Sequence, residues 1–496
     1  MTSMRNATHI PPNAKRLIHA LRSIGYSIEK AIADVVDNSI DASAQNVLVR
    51  IRAAGEAITD VLIIDDGVGM TGARIEEAMR FGAETDQGPD SLGKFGMGMK
   101  LASLSQAREL TVSSRKDGET NGRKWTIAGI ESGWNCETLS REEAHGELEG
   151  PWEGADTSKS GTVVRWSDLD RVRAKAGGLQ ETVDSIVHRL RFHLGIHLHR
   201  FLEDHRVRIR IDTQEEGEDE STSVTVVEPL DPFGYETTGD PEFPRSYELD
   251  LPEGRITLDA HIWPANDSSR NYKLDNRVSS RQGLYFYRND RLVQAGGWSH
   301  FRDAEPHMSL ARVAIDLPPS MESAFHLDMK KSSIDPPASF RNALSKAVDK
   351  QKRPFTQYLN AAQKAYRKEA ARNPDNHPLV PGAGIPAQLR ETARNILAPD
   401  TRKVREVEFE WADLQRGLFF EIDREHSIIR LSRSFRNVLL GGRRAGGADA
   451  PLIKVLLFLL LAEDLDSARV SKRQQERLDQ FDSVLKEAVK TMKVEE

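Results

Sequence analysis

A chain of 496 residues is longer than one hydrophobic core ordinarily organises, so two or three domains are expected. A formal net charge of −7 with 29% charged residues excludes a globally basic nucleic-acid binder, and a single cysteine, Cys136, excludes an intramolecular disulfide framework. The start of the chain lacks an apolar signal segment, and the longest apolar run, Val455 to Ala462, is far below the roughly 20 residues that cross a bilayer; a soluble, cytoplasmic protein with no membrane partner is expected.

In chain order, the segment up to Asp168 mixes helix, strand and glycine-loop signals, which predicts an α/β-layered domain. From Ile28 to Ala44 the residues Ile28, Ala31, Ile32, Val35, Val36 and Ile40 mark the apolar side of a helix, while Asp34, Asp37, Asn38 and Asp41 recur at i, i+3, i+4 and i+7. Such a stripe in isolation reads as a solvated face. It contains no lysine or arginine, however, and clustered acids repel unless a cation compensates, a part that magnesium would fill. Next, VLIIDDGVGM is an apolar strand running into Asp65, Gly67 and Gly69, either a plain strand-turn or a pocket wall in which Asp65 accepts from an exocyclic amine while glycine lets backbone approach a flat ligand.

The run LGKFGMGMKLASLS places Gly93, Gly96 and Gly98 before a helix, whose first-turn N–H groups and dipole favour an anion. Lys100 in that first turn is unfavourable for the helix unless a polyphosphate lies there. This is neither a Walker A loop nor a Rossmann turn. SGTVVRW, from Ser160, opens a buried strand. Leu179 to His205 predicts a long connecting helix, in which His193 and His197 stand at i, i+4 without the intervening glutamate of a zincin, so a helix face is favoured over a metal site. RVRIRID, SVTVVEP, ITLDAHIWP, GLYFYRN and ARVAIDLP then predict a second, sheet-based domain. After a helical stretch from Ala338 to Ala371, ARNPDNHPLVPGAGIPAQ reads as a linker, followed by a strand pair at FFEID and IIRLS and two helices. Arg430, Arg433, Arg436, Arg443 and Arg444 form a basic set that is either a solvated surface, the favoured reading, or a nucleic-acid contact.

The four N-terminal segments, in this order, resemble the GHKL superfamily of Bergerat-fold ATPases: an N-box at Asp34 to Ala42, a DxGxG box at Asp65 to Gly69, a GxxGxG lid box at Gly93 to Gly98 and a GT-strand box at Gly161 to Val164. GLYFYRNDRLVQAGGW and FHLDMKKSSIDPP further resemble the second half of bacterial MORC-like proteins. The resemblance implies an α+β chain: a Bergerat-fold ATPase, an α/β sandwich with a mixed sheet (1–180), then a ribosomal-protein-like βαβ transducer (181–370), a linker (371–388) and a small α+β C-terminal region (389–496).

It also implies ATP and Mg2+ as ligands. Asn38 would coordinate the metal and Asp65 the adenine amine; Gly67, Gly69 and Met70 would line the base pocket and Thr162 would support it. Gly93, Lys94, Phe95, Gly96, Met97, Gly98, Met99 and Lys100 would make up the phosphate-holding lid, which is expected over Phe81 to Met99. Hydrolysing relatives usually place glutamate where this chain has Asp34, so Asp34 is the expected general base, shorter by about one C–C bond, and slow turnover follows. Lys330 or Lys331 would reach the γ-phosphate from the transducer, and Arg288 and Arg291 are either structural or at a subunit contact. The implied behaviour is an ATP-gated homodimer working on DNA within an anti-phage restriction-type system, alongside a helicase or nuclease. A non-hydrolysing scaffold and a chaperone-like ATPase are the alternatives.

Overall fold

The computed structural model describes residues 12–23, 25–83, 92, 98–172, 178–215, 221, 223–265, 267, 269–274, 281–326, 334–372, 379–398, 404–414, 417–424, 426–442, 444–466 and 472–492. The chain divides into two compact units, Met1–Arg367 and Lys368–Glu496.

The first unit begins with helices α1 (Ala14–Arg22) and α2 (Ile28–Asp41), followed by the hairpin β1 (Asn46–Ala54) and β2 (Ala57–Asp65). Helices α3 (Gly72–Met79) and α4 (Gly98–Gln106) precede β3 (Glu109–Lys116) and β4 (Glu119–Thr126); α5 (Ile127–Glu131), β5 (Glu137–Thr138), α6 (Arg141–Leu148) and β6 (Gly161–Ser167) follow. Helices α7 (Gly178–His197) and α8 (His199–Glu203) lead to β7 (Arg208–Glu215) and β8 (Ser223–Val226).

These eight strands form one mixed sheet, ordered β5-β4-β3-β6-β2-β1-β7-β8, in which β1 and β7 run parallel. Alternation along the central strands sets the two faces. Val47, Val49, Ile51, Val61 and Ile63 point into the large core under the helices, with Ile32, Val36, Leu104 and Leu190 opposite. Leu48, Leu62, Ile64 and Val163 point the other way, against Leu148 and Ala155. On that second face the buried guanidinium of Arg50 reaches Asp212 of β7 at 2.7 Å.

Two strands expected in the second domain therefore belong to the first sheet. RVRIRID is β7 and SVTVVEP contains β8, because β7 pairs in parallel with β1, and a boundary at 180 cuts through the sheet. The second sheet comprises β9 (Arg245–Leu251), β10 (Gly254–Ile262), β11 (Gly283–Arg288), β12 (Arg291–Gln294) and β13 (Ala311–Asp316), ordered β12-β11-β13-β10-β9, with the short α9 (Arg270–Lys273) preceding β11. Its parallel pair, β11 and β13, is connected through β12 and a 3-10 turn at Pro306–Met308, and no α-helix lies in that crossover. Helices α10 (Ala338–Lys346) and α11 (Phe355–Arg372) replace the single helical stretch read from the sequence; Phe340, Leu344, Phe355 and Tyr358 close the core of this sheet. Helix α7 serves both sheets. Leu190 and Leu194 enter the first core, while Ile196 packs with Tyr285, Tyr287 and Leu292 of the second.

The second unit has a four-stranded sheet of β14 (Leu379–Pro381), β15 (Arg405–Ala412), β16 (Phe420–Asp423) and β17 (Ile428–Ser432), ordered β14-β15-β17-β16. Part of the expected linker is thus strand β14. Helices α12 (Ala387–Leu397), α13 (Arg436–Leu440), α14 (Pro451–Asp466) and α15 (Lys472–Met492) accompany it, with Leu457, Leu461 and Leu478 in its core. The basic set here is neither a plain solvated face nor a free cationic patch. Arg430 is buried and bonds Asp423 at 2.8 Å, Arg433 donates to the Trp411 carbonyl, and Arg436 holds the half-buried Asp449; Arg444 is exposed and Arg443 lies outside the described residues. Among the described residues no helix is long and apolar enough to cross a membrane.

Removing one partner of a buried pair strands the other charge, which typically costs 3–5 kcal/mol. Asp423 also accepts from His426 at 3.1 Å, so Arg430→Met is expected to destabilise the protein by about 2 kcal/mol in denaturant melts, less than for a fully stranded charge. An unchanged melt would show the pair to be dispensable.

Candidate functional site

The site is built where α2 crosses the end of β2. Helix α2 needs no designed cap to persist. Its apolar side, Ile28, Ala31, Ile32, Val35 and Val36, is buried in the first core, which fixes its rotation and sends the acid stripe to the opposite side. That stripe is not solvated: Asp34 is 3% exposed and Asp37 fully buried. Asn38 donates its amide Nδ2 to the Asp34 carbonyl at 2.9 Å, leaving its Oδ1, an acceptor, as the atom offered to a hard cation. Asp41 accepts from the backbone N–H of Leu92 at 2.8 Å. Helix α4 starts at Gly98, close to Asp34: a Cβ added there would lie 3.9 Å from Asp34 Oδ2.

Asp65 ends β2 as a buried carboxyl, 4% exposed. Ser39 Oγ donates to its Oδ2 at 2.9 Å and the Gly67 N–H to its Oδ1 at 3.0 Å. Burial pushes its pKa up to about 6, and these hydrogen bonds oppose the rise only in part. The glycines beside it have a different reason from the one read in the sequence. Gly69 has φ +65°, and a Cβ there would collide with the carbonyl of Arg115; Gly161, at φ +147°, approaches the Asp65 carbonyl equally closely. The space is taken by the protein's own backbone, so these glycines hold the wall together. Ser114 of β3 ties the wall further: its Oγ accepts from the Met70 N–H at 2.8 Å, donates to the Gly161 carbonyl at 3.0 Å and lies 2.9 Å from Thr162 Oγ1.

Residues 26–162 match the family described as histidine kinase-, DNA gyrase B- and HSP90-like ATPases. This segment is a GHKL ATPase domain. Three relatives, each a DNA mismatch repair protein MutL, agree with that assignment. The protein from Phocaeicola vulgatus is 34% identical over 103 residues, 20% of this chain and 16% of that protein. Those from Bacteroides fragilis and Rhizorhabdus wittichii are 30% and 32% identical over 131 and 143 residues, covering 25% and 28% of this chain and 21% and 20% of theirs. The chain spans about a fifth of the length of these relatives.

Within the GHKL domain, α2, β2 and β6 bring Asp34, Asn38, Asp65, Gly67, Gly69, Met70 and Thr162 to one region, and Met99 packs on its core. Lys100 is placed otherwise. Its buried ammonium donates to the carbonyls of Ala78 and Arg80 at 2.7 Å, capping α3, and burial lowers its pKa to about 8. A cation at a helix C-terminus satisfies orphan carbonyls, which explains why a lysine is tolerated in the first turn of α4 without a phosphate. Gly93, Lys94, Phe95, Gly96 and Met97 lie outside the described residues, as do Lys330 and Lys331. The flanks of the lysine pair are described: Phe325 is buried, and the Ile334 N–H donates to Gln294 at the end of β12.

Sequence reasoning missed Ser39, Ser114 and the roles of Arg288 and Arg291. Arg291 Nε donates to Asp37 at 2.8 Å, so the cation that the acid stripe lacked locally comes from the second sheet. Arg288 bonds Glu322 at 2.5 Å and donates to the Leu92 carbonyl at 3.2 Å. His197 donates from Nδ1 to the Leu292 carbonyl at 2.5 Å; burial, then Arg291, pushes its pKa down to about 3, so it is a neutral strut between α7 and β12. A serine or arginine of this kind carries no local signal of its distant partner.

With its folded pKa above the ordinary 3.8, Asp65 binds more protons in the folded than in the unfolded state between about pH 4 and 6, so its ionisation lowers stability as pH rises through that window. Asp65→Asn removes this penalty. Its melting temperature relative to wild type should rise from pH 4.5 to pH 7.5; a difference that stays flat across that range would contradict the assigned burial.

Proposed function

We propose that the protein is an ATP-driven switch: the GHKL domain binds ATP with Mg2+, the second sheet acts as the transducer, and ATP closes two protomers on each other. The observation that carries this reading is the convergence of Asp65, in a buried wall, with Asn38 and Asp34 on one helix beside the start of α4. The ionised Asp65 is an acceptor for the adenine amine, and a hydrogen bond to a charged acceptor contributes about 1.5–3 kcal/mol, enough to select adenine over a base presenting a carbonyl there. Asn38 would hold the magnesium, which supplies charge neutralisation at the phosphates. The first-turn N–H groups of α4, which starts at Gly98 beside Asp34, would serve the phosphates.

In hydrolysis Asp34 takes a proton from the attacking water, whose oxygen bonds to the γ-phosphorus as the bond to the ADP oxygen breaks. Aspartate reaches less far than glutamate, so turnover is slow. The same shortness favours a second reading, a nucleotide-gated scaffold that binds without hydrolysing. The γ-phosphate sensor is Lys330 or Lys331, as the MORC-like resemblance implies; Ile334, which follows them, donates its N–H to Gln294 at the end of β12. Similarity to MutL supports work on DNA; an anti-phage setting with a helicase or nuclease rests on the MORC-like resemblance.

Phosphate release measured with Mg2+ and ATP separates the two readings. Asp34→Ala should lower turnover at least about 100-fold while leaving ATP affinity within a few-fold, and Asp34→Glu should raise it about tenfold. Equal turnover in wild type and Asp34→Ala removes Asp34 as the base, and turnover at the uncatalysed background in both leaves the scaffold reading.

A further inference from the structure

The hairpin joining β11 and β12 touches α2 in two ways. Arg291, 3% exposed, bonds Asp37, which is fully buried, and Asp37 is the chain neighbour of Asn38 and lies one turn after Asp34. Arg288, itself buried and fixed by Glu322, donates to the carbonyl of Leu92, whose N–H is held by Asp41. Positions 37 and 41 are neighbours one turn apart on α2. The hairpin thus grips the helix at Asp37 directly and at Asp41 through a single residue, Leu92.

Resting on the nucleotide reading above, we infer that Arg291 is a positioning residue for catalysis: through Asp37 it sets the rotation and depth of α2, and so the aim of Asp34 and Asn38, and it makes the second sheet an obligatory part of the nucleotide site. Three observations carry this. The pair ties α2, which packs on the first sheet, to the hairpin of the second sheet. It is buried, so neither water nor salt can stand in for Arg291, and a close-packed contact passes displacement on rather than absorbing it. The adjoining contact is equally fixed, since His197 bonds the carbonyl of Leu292, the residue after Arg291. A shift of the hairpin by about 1 Å therefore moves α2, and a misplacement of that size at a reacting group can lower a rate by about 100-fold. Nucleotide affinity rests mainly on Asp65, which ends β2 and keeps its Gly67 partner off α2, so it is expected to change less than the rate, which depends on the aim of Asp34.

The test removes both charges together, because losing one alone leaves a buried charge short of this ion pair whereas joint removal is often tolerated. In the full chain, Asp37→Asn with Arg291→Met is expected to bind a fluorescent ATP analogue within threefold of wild type while kcat at saturating Mg·ATP falls at least tenfold. Arg291→Lys, which keeps the charge but loses the guanidinium geometry, should show the same split more weakly, and it carries the test if the double variant does not fold. A folded double variant, or Arg291→Lys alone, with wild-type kcat overturns the inference and makes the pair a plain structural latch. Wild-type protein that binds no ATP overturns the nucleotide reading beneath it, and the two failures are told apart by the wild-type binding curve.

Discussion

The structure turns on the burial of the acidic face of α2. A helix carrying three carboxylates and an amide along one side cannot be packed inside a protein unless each charge is met, because an uncompensated buried ion is too costly to keep. Asp37 is met by an arginine from a different sheet and Asp41 by a backbone N–H ahead of α4. Asp34 lies near the N-terminus of α4, where a helix presents partial positive charge. The demand for compensation is what draws the second sheet and the α4 region onto the same helix. The functional centre is for that reason a junction of elements and not a cleft in one of them.

The wall opposite this helix follows a different logic. Asp65 is kept in an apolar setting and steadied by Ser39 and Gly67, while backbone carbonyls of Arg115 and of Asp65 itself press against Gly69 and Gly161. Ser114 bonds three parts of that wall at once. Rigidity here comes from backbone packed on backbone, which holds the Asp65 carboxyl in place without the rotamer freedom of side chains. The raised pKa of Asp65 records the strain of keeping a carboxyl in such a place.

What the sequence revealed was local. The helix at α2, the strand ending at Asp65 and the order of the four motifs could be read because each is set by spacing within a few residues. The parallel pairing of β1 with β7 joins residues about 160 positions apart and leaves no mark in either strand, so β7 and β8 were assigned to the wrong sheet. Arg291 was visible as a residue but not as the partner of Asp37, 254 positions away. Lys100 misled for a related reason: its position in the first turn of α4 suggested an anion, whereas its side chain runs to the carbonyl end of α3. In the second unit a proline-rich stretch hid strand β14, and arginines that looked like a surface set proved to be internal ties.

The account stands most directly on base recognition by a buried carboxylate. Titration calorimetry of the full chain with Mg2+ and, in turn, ATP, ADP and GTP reads that claim without relying on turnover. Heat with ATP and ADP, at least tenfold weaker binding of GTP, and loss of the preference in Asp65→Asn are the expected results. Equal affinity for ATP and GTP, or no heat with any of the three, would contradict it.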